Sequence, residues 1–125
     1  MSLKPVKIKC PTGNEKTQTF KWNNKRWIIS KLIEAAKDLD TFEVPLLGLN
    51  IFSLIEISSM SDFVGHMKRV LEVDLSYPII LDDEGFIMDG RHRVAKALLE
   101  GRTTITAVRF DETPPYDFTV DECIS

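Results

Sequence analysis

The sequence predicts a small single-domain α+β fold with a mixed sheet and about three helices. Three observations predict it. Apolar residues recur at helical spacing in three separate stretches, around Leu32, Met67 and Ala97. Short apolar or β-branched runs lie between and after them, at residues 77–81, 86–88 and 103–110. No regular strand–helix–strand repeat links these pieces.

Residues 1–24 are polar and read as an N-terminal arm, or as a short strand at Val6 followed by the turn Pro11-Thr12-Gly13-Asn14. From there Trp27, Ile28, Lys31, Leu32, Ala35, Ala36 and Leu39 fall at helical spacing. They predict an amphipathic helix over 25–38, with Asn23 or Asn24 as its cap. Phe42-Glu43-Val44-Pro45-Leu46 predicts a short extended segment, which Pro45 confines to an edge or a strand end. Leu49-Asn50-Ile51 is expected to continue it past Gly48.

Ser61, followed by Asp62, Phe63, Val64, Met67, Val70 and Leu71, predicts a second helix capped by Ser61. His66, Lys68, Arg69 and Glu72 are expected on its outer face. Tyr77-Pro78-Ile79-Ile80-Leu81 reads as a buried strand, because proline is tolerated at a strand start. Asp82-Asp83-Glu84-Gly85 is a hairpin connection, and Phe86-Ile87-Met88 is the return strand. Gly90 to Glu100 forms the third helix, ended by Gly101 as its C′ residue. Its buried stripe is Val94, Ala97 and Leu98, with Arg93, Lys96 and Glu100 on the solvent side. The β-branched run 103–110 is a strand, and 111–125, with Pro114-Pro115, is an irregular tail. The folded domain is thus expected over 25–110.

The chain has 125 residues, 43% hydrophobic and 28% charged, with a net charge of −3. This acidic balance disfavours nonspecific duplex binding, which relies on many lysine and arginine contacts to phosphate. No apolar run approaches the roughly 20 residues of a membrane span, and the first residues lack the apolar core of a secretory signal. A cytoplasmic protein is expected. Cys10 and Cys123 are expected as free thiols in a reducing compartment, with a disulfide between the chain ends as the alternative. Two cysteines and two histidines without ligand spacing argue against a structural zinc site.

The segment richest in chemistry is Asp89-Gly90-Arg91-His92-Arg93, where a strand becomes a helix. The amides of a helix's first turn lack internal partners, and the helix dipole is positive there, so an anion is the natural guest. Arg91 and Arg93 offer planar forks matched to phosphate oxygens. His92 can donate to phosphate or take a proton near neutrality. Lys96, one turn on, extends the positive patch. Basic residues in a first turn oppose the dipole by about 0.3–1 kcal/mol each and need compensation. A bound anion would supply it, and so would Asp82, Asp83 or Asp89. On the residues alone two readings stay open: a phosphate site, or a solvated helix start with His92 bonded to a neighbouring strand.

The order Pro78-Ile79-Ile80-Leu81, turn, Ile87-Met88-Asp89-Gly90-Arg91-His92-Arg93-Val94-Ala95-Lys96-Ala97, then Ile105 to Val108, resembles the core of the ParB/sulfiredoxin superfamily. The resemblance covers about residues 42–110, including the helix before the Pro-Ile strand. It implies a stand-alone ParB N-terminal-like domain that binds a nucleotide or other phosphorylated ligand at Gly90, Arg91, His92 and Arg93. The family implies ATP, ADP or CTP as ligands, and the carboxylates Asp82, Asp83, Glu84 and Asp89 could hold Mg²⁺ beside such a nucleotide. A sulfiredoxin would carry its catalytic cysteine where this chain has Arg91, so sulfinic-acid reduction is not expected. The residues after Phe110 leave no room for a helix-turn-helix, which argues against centromere-type DNA binding.

If the site is catalytic, phosphoryl transfer or nucleotide or phosphodiester hydrolysis is the expected class, with Asp82 or Asp89 holding a metal ion. The alternative reading of Asp82-Asp83-Glu84 is a plain polar turn. The rival functions are a DNA-associated module, partition-related or nuclease-like, acting with partner proteins, and a non-catalytic interaction protein. Trp22 and Trp27 among Lys21, Lys25, Arg26 and Lys31 resemble a surface for single-stranded nucleic acid, although Trp27 also fits a core position. His66 is expected at the surface, and reaches the Gly90–Arg93 box if its helix faces that way.

Overall fold

The computed structural model of the chain describes residues 18–51 and 54–120. The strand expected at Val6 and both cysteines, Cys10 and Cys123, lie outside the described residues. The elements run β1 (Thr19–Trp22), β2 (Lys25–Ile28), α1 (Ile29–Ala36), β3 (Phe42–Pro45), α2 (Met60–Glu72), β4 (Ile79–Leu81), β5 (Ile87–Asp89), α3 (Arg91–Leu99), β6 (Thr104–Arg109) and β7 (Phe118–Thr119). Among the described residues, three α-helices and a sheet with both antiparallel and parallel pairings make the expected α+β fold. Among the described residues no helix is long and apolar enough to cross a membrane. The described residues divide into two compact units, 18–37 with 114–120, and 38–51 with 54–113.

In the first unit, β1 and β2 form an antiparallel hairpin, and β7 pairs with the other edge of β2. The helix expected from Lys25 starts only at Ile29, because residues 25–28 are a strand. Trp27 and Ile28 suit either period. The deciding signal is the Asn23-Asn24 pair, which makes a two-residue turn between the partners Trp22 and Lys25. Asn23 takes the left-handed φ of 57° that asparagine tolerates. It turns the chain instead of capping a helix; the N-cap of α1 is Ile28, whose side chain makes no capping bond.

The hairpin sets Phe20 opposite Trp27, and their rings pack 5.5 Å apart at 51°. This cross-strand pair buries aromatic area that a helix starting at Lys25 would leave without a partner. The C-terminal segment is also more ordered than expected. Asp117 donates its amide to the Arg26 carbonyl at 2.8 Å, and Val120 donates to Asn24 at 2.9 Å. The Asp117 carboxylate accepts from the Ile28 amide at 2.7 Å. Pro114 offers its carbonyl to the Trp27 indole at 2.8 Å.

The second unit holds a four-stranded sheet in the order β3-β6-β4-β5. β6 runs antiparallel to β3 and parallel to β4, and β4 forms a hairpin with β5. A parallel pair needs a crossover, and here β5 and α3 provide it. After β3 the chain does not continue as a strand through Leu49–Ile51. It makes a 3₁₀ turn over Leu46–Gly48, closed by the Leu49 amide on the Leu46 carbonyl at 3.2 Å. Residues three apart then share a side, so Leu46 and Leu49 both enter the core. There they meet Ile79, Leu81, Ile87, Val94, Ala97, Ile105 and Ala107.

Helix boundaries follow local chemistry. α3 ends as expected at Gly101, with φ 78°. The Gly101 and Arg102 amides bond back to Leu98 and Ala97, which is the Schellman pattern. Leu98, expected in the buried stripe, is 40% exposed, while Val94 and Ala97 are fully buried. α2 starts at Met60, and its cap is Ser59, not Ser61. The Ser59 hydroxyl accepts the Asp62 amide at 3.0 Å, and the Asp62 carboxylate accepts the Ser58 amide at 3.0 Å. Ser59 is three residues ahead of Asp62, as a capping box requires. Replacing Ser59 by alanine should cost about 1 kcal/mol in urea unfolding. Ser61→Ala should stay within about 0.5 kcal/mol.

Candidate functional site

The site starts from a turn that admits no side chain. Gly90 is the N-cap of α3, with φ 108° and ψ 20°. A Cβ there would lie 2.5 Å from Ile79 Cγ2 and 2.9 Å from Ile79 Cβ. Both the dihedral and the contact therefore demand glycine. The turn lets β5 run directly into α3, with the Val94 amide closing the first helical bond on the Gly90 carbonyl at 2.9 Å. The amides of Arg91, His92 and Arg93 precede any intrahelical acceptor. Gly90 offers no side-chain cap, no side chain among the described residues is bonded to these amides, and no acidic residue lies in the first turn.

The basic side chains do not fan out into solvent. Arg93 donates to the carbonyls of Tyr77 and Pro78 at 3.0 and 2.8 Å, and its other nitrogen meets Asp89 Oδ2 at 2.9 Å. Lys96 donates to the Val73 and Leu71 carbonyls at 2.8 and 3.3 Å, beyond and at the end of α2. The expected solvent-facing row of Arg93, Lys96 and Glu100 is thus corrected, because two of its members tie α3 to the chain ahead of β4. Arg91 donates to the Ile87 carbonyl at 3.1 Å and to Leu54 at 3.5 Å. Burial pulls its guanidinium below the ordinary arginine value, and Glu56 nearby pushes it back up. The compensation that a basic first turn needs comes from Asp89 and from backbone carbonyls.

His92 meets a second histidine. Its Nε2 lies 2.8 Å from Nδ1 of His66 on α2. The rings are 18° from coplanar, with centroids 5.1 Å apart. That separation is the nitrogen-to-nitrogen distance plus two ring radii, so the rings meet end to end and not face to face. Arg69 Nη1 also points at His66 Nδ1, at 3.3 Å. A guanidinium only donates, so Nδ1 of His66 is an acceptor. Its hydrogen then sits on Nε2, which is 3.3 Å from Asp62 Oδ1. The hydrogen between the rings belongs to His92 Nε2, and the neutral His92 ring carries none on Nδ1. Burial first, then His66 and Arg69, hold His92 below its ordinary value, with Asp89 acting in the opposite sense.

His66, expected to face outward, is therefore turned toward α3, while Arg69 stays exposed and reaches back to His66. The signal was present in the sequence: Asp62, His66 and Arg69 are spaced four and three apart, which puts them on one helix face. The candidate metal residues have structural duties instead. Asp82 Oδ1 accepts the amides of Glu84 and Phe86 at 2.9 and 2.8 Å, closing its own turn. Asp89 holds Arg93. Among the described residues no three histidine, cysteine or acidic side chains gather where they could hold a metal ion.

The second basic cluster is also dispersed. Arg26 is buried and bonded to the carbonyls of Asn23 and Lys25. Lys25 sits 5.3 Å over the Tyr116 ring, and Lys31 faces Asp117 at 3.6 Å. Trp27 is core, packed against Tyr116 at 81°, and Trp22 is half exposed.

Compared with family models, with curated proteins and with solved structures, the chain matches none of them. The geometry of Gly90 makes a direct prediction. Gly90→Ala adds left-handed strain and a clash with Ile79, and should destabilise by about 2–4 kcal/mol in chemical unfolding. Gly85, also at positive φ but with open space around it, should cost less when changed to alanine.

Proposed function

We propose that the Gly90–Arg93 turn binds the phosphate of a nucleotide or another phosphorylated ligand. The observation that carries this reading is the start of α3. It opens on three amides with neither a side-chain cap nor an acidic residue in the first turn. A helix N-terminus of that kind favours an anion through its free N–H groups and its dipole. The resemblance of residues 42–110 to ParB/sulfiredoxin domains, which use this box for phosphates, supports the same reading.

In this proposal the residues divide their work. Gly90 keeps the backbone close to the ligand. The amides of Arg91, His92 and Arg93 meet the phosphate oxygens. Arg93 and Lys96 hold α3 in place through backbone carbonyls, and lend their charge from behind. His92 Nδ1 is bare in the neutral ring, so it can accept from a ligand hydroxyl but donates to a phosphate oxygen only after it takes up a proton. No reaction is assigned, since Asp82 and Asp89 are engaged within the fold.

The test is a titration with inorganic phosphate, ADP, ATP and CTP, with and without Mg²⁺, followed by amide NMR and thermal unfolding. The expected result is a set of shifts centred on the amides of Arg91, His92 and Arg93. A ligand at 100 times its Kd should add about 2.7 kcal/mol of stability. Shifts centred elsewhere, or none with any of the four, contradict the proposal.

A further inference from the structure

We propose that the His66–His92 contact is a proton-gated latch. One shared hydrogen ties α2 to α3, and a second proton taken up by the pair releases α2. This inference concerns the two helices and does not depend on a ligand.

The contact is built for a proton. Two imidazole nitrogens holding a metal ion in line between them would stand about 4 Å apart, at roughly 2.0–2.1 Å each. Here they are 2.8 Å apart in nearly coplanar rings. The guanidinium of Arg69, 3.3 Å from the shared acceptor, would also repel a metal ion.

The pair accepts one extra proton without breaking. That proton goes to Nδ1 of His92, and the bridging N–H···N bond persists. The next must go to Nδ1 of His66, the acceptor of the bridge. Two N–H groups would then face each other, and both rings would be cationic. Coupled sites of this kind titrate as a unit, so the two steps belong to the pair.

The charges around the pair set where this happens. From α2, Asp62 favours protonation and Arg69 opposes it. From the end of β5, Asp89 favours it, although Arg93 already binds that carboxylate. Arg91 on α3 lies against Glu56, which offsets its charge. The balance holds His92 below its ordinary value, with burial as the largest cause. Neutral His92 is therefore the form that the fold favours. The stability this carries is complete above the unfolded histidine value near 6.5 and is lost as pH falls through the lowered folded value.

α2 depends on this contact because it buries little else. Val70 is its one buried residue, while Met60, Val64 and Leu71 are 74%, 57% and 64% exposed. At its other end, α2 is held by Lys96 on the carbonyls of Leu71 and Val73. Opening the latch would free the N-terminal half, around Asp62 and His66, first.

The test is amide hydrogen exchange at pH 7.5 and 5.0, corrected for intrinsic rates, on the protein and on His66→Gln. The glutamine oxygen still accepts from His92 Nε2 but does not titrate. The latch predicts that α2 amides lose at least tenfold more protection than β4 and β6 amides on acidification, since each excluded proton shifts the opening equilibrium up to tenfold per pH unit. In His66→Gln that difference should vanish. Equal loss in α2 and β6, or the same loss in the variant, overturns the proposal. A second readout uses the unaltered protein. Imidazole ¹⁵N shifts at pH 7.5 should show His92 protonated on Nε2 and bare on Nδ1. Two rings titrating independently near their ordinary value also overturn it.

Discussion

The second unit is organised by the contact of Gly90 with Ile79. A Cβ at position 90 would come within 2.5 Å of the Ile79 side chain, whose residue is itself fully buried in β4. The close approach lets β5 turn straight into α3 beside the strand it pairs with. That placement decides where the following side chains fall. Arg93 returns over Tyr77 and Pro78 at the start of β4, Lys96 reaches the end of α2, and His92 meets His66. One backbone constraint thus fixes the α3 N-terminus, the clamp behind it and the α2–α3 contact.

The basic run Arg91-His92-Arg93 first reads as charge waiting for a ligand. Its side chains are largely spent inside the protein. Charge-assisted bonds to backbone carbonyls and to Asp89 are the kind worth more than a surface ion pair. What this leaves for an anion in the proposed function is backbone: three amides and the dipole of α3. The box is then a frame whose cations lie behind the glycine-framed turn, and in the proposed function recognition falls on that turn. The same economy explains the acidic residues. Asp82 organises the β4–β5 turn and Asp89 anchors Arg93, so the carboxylates that might hold a metal ion instead hold the frame.

Much of this unit was legible in the sequence, because its signals are local. Pro78 at a strand start, the Asp82–Gly85 turn, Gly90 before a helix and Gly101 after it each act within a few residues. Their order gave β4, β5, α3 and β6 nearly to the residue. The misreadings share another cause. Trp27 and Ile28 fit a helical period as well as a strand, and the strand is selected by the Asn23-Asn24 turn, which sets them opposite Phe20 and Thr19. β7 is two residues long and follows two prolines, so it carries no periodicity of its own. Leu46 and Leu49 pack through a single 3₁₀ turn that mimics an interrupted strand. His66 was misplaced because a polar face looks the same in sequence whether it meets water or a second polar face. The side chains of Arg93 and Lys96 were misjudged for the same reason: their partners are carbonyls, which no residue code displays.

The central claim is that the box arginines build the frame more than they face the guest. Urea unfolding of Arg93→Gln in the absence of any ligand tests it most directly. Arg93 is 14% exposed and Asp89 18%, so removing the cation leaves a partly buried carboxylate and two carbonyls without their donor. The account predicts a loss of about 2–4 kcal/mol. Stability unchanged within about 0.5 kcal/mol would contradict it and return Arg93 to the role of a surface cation.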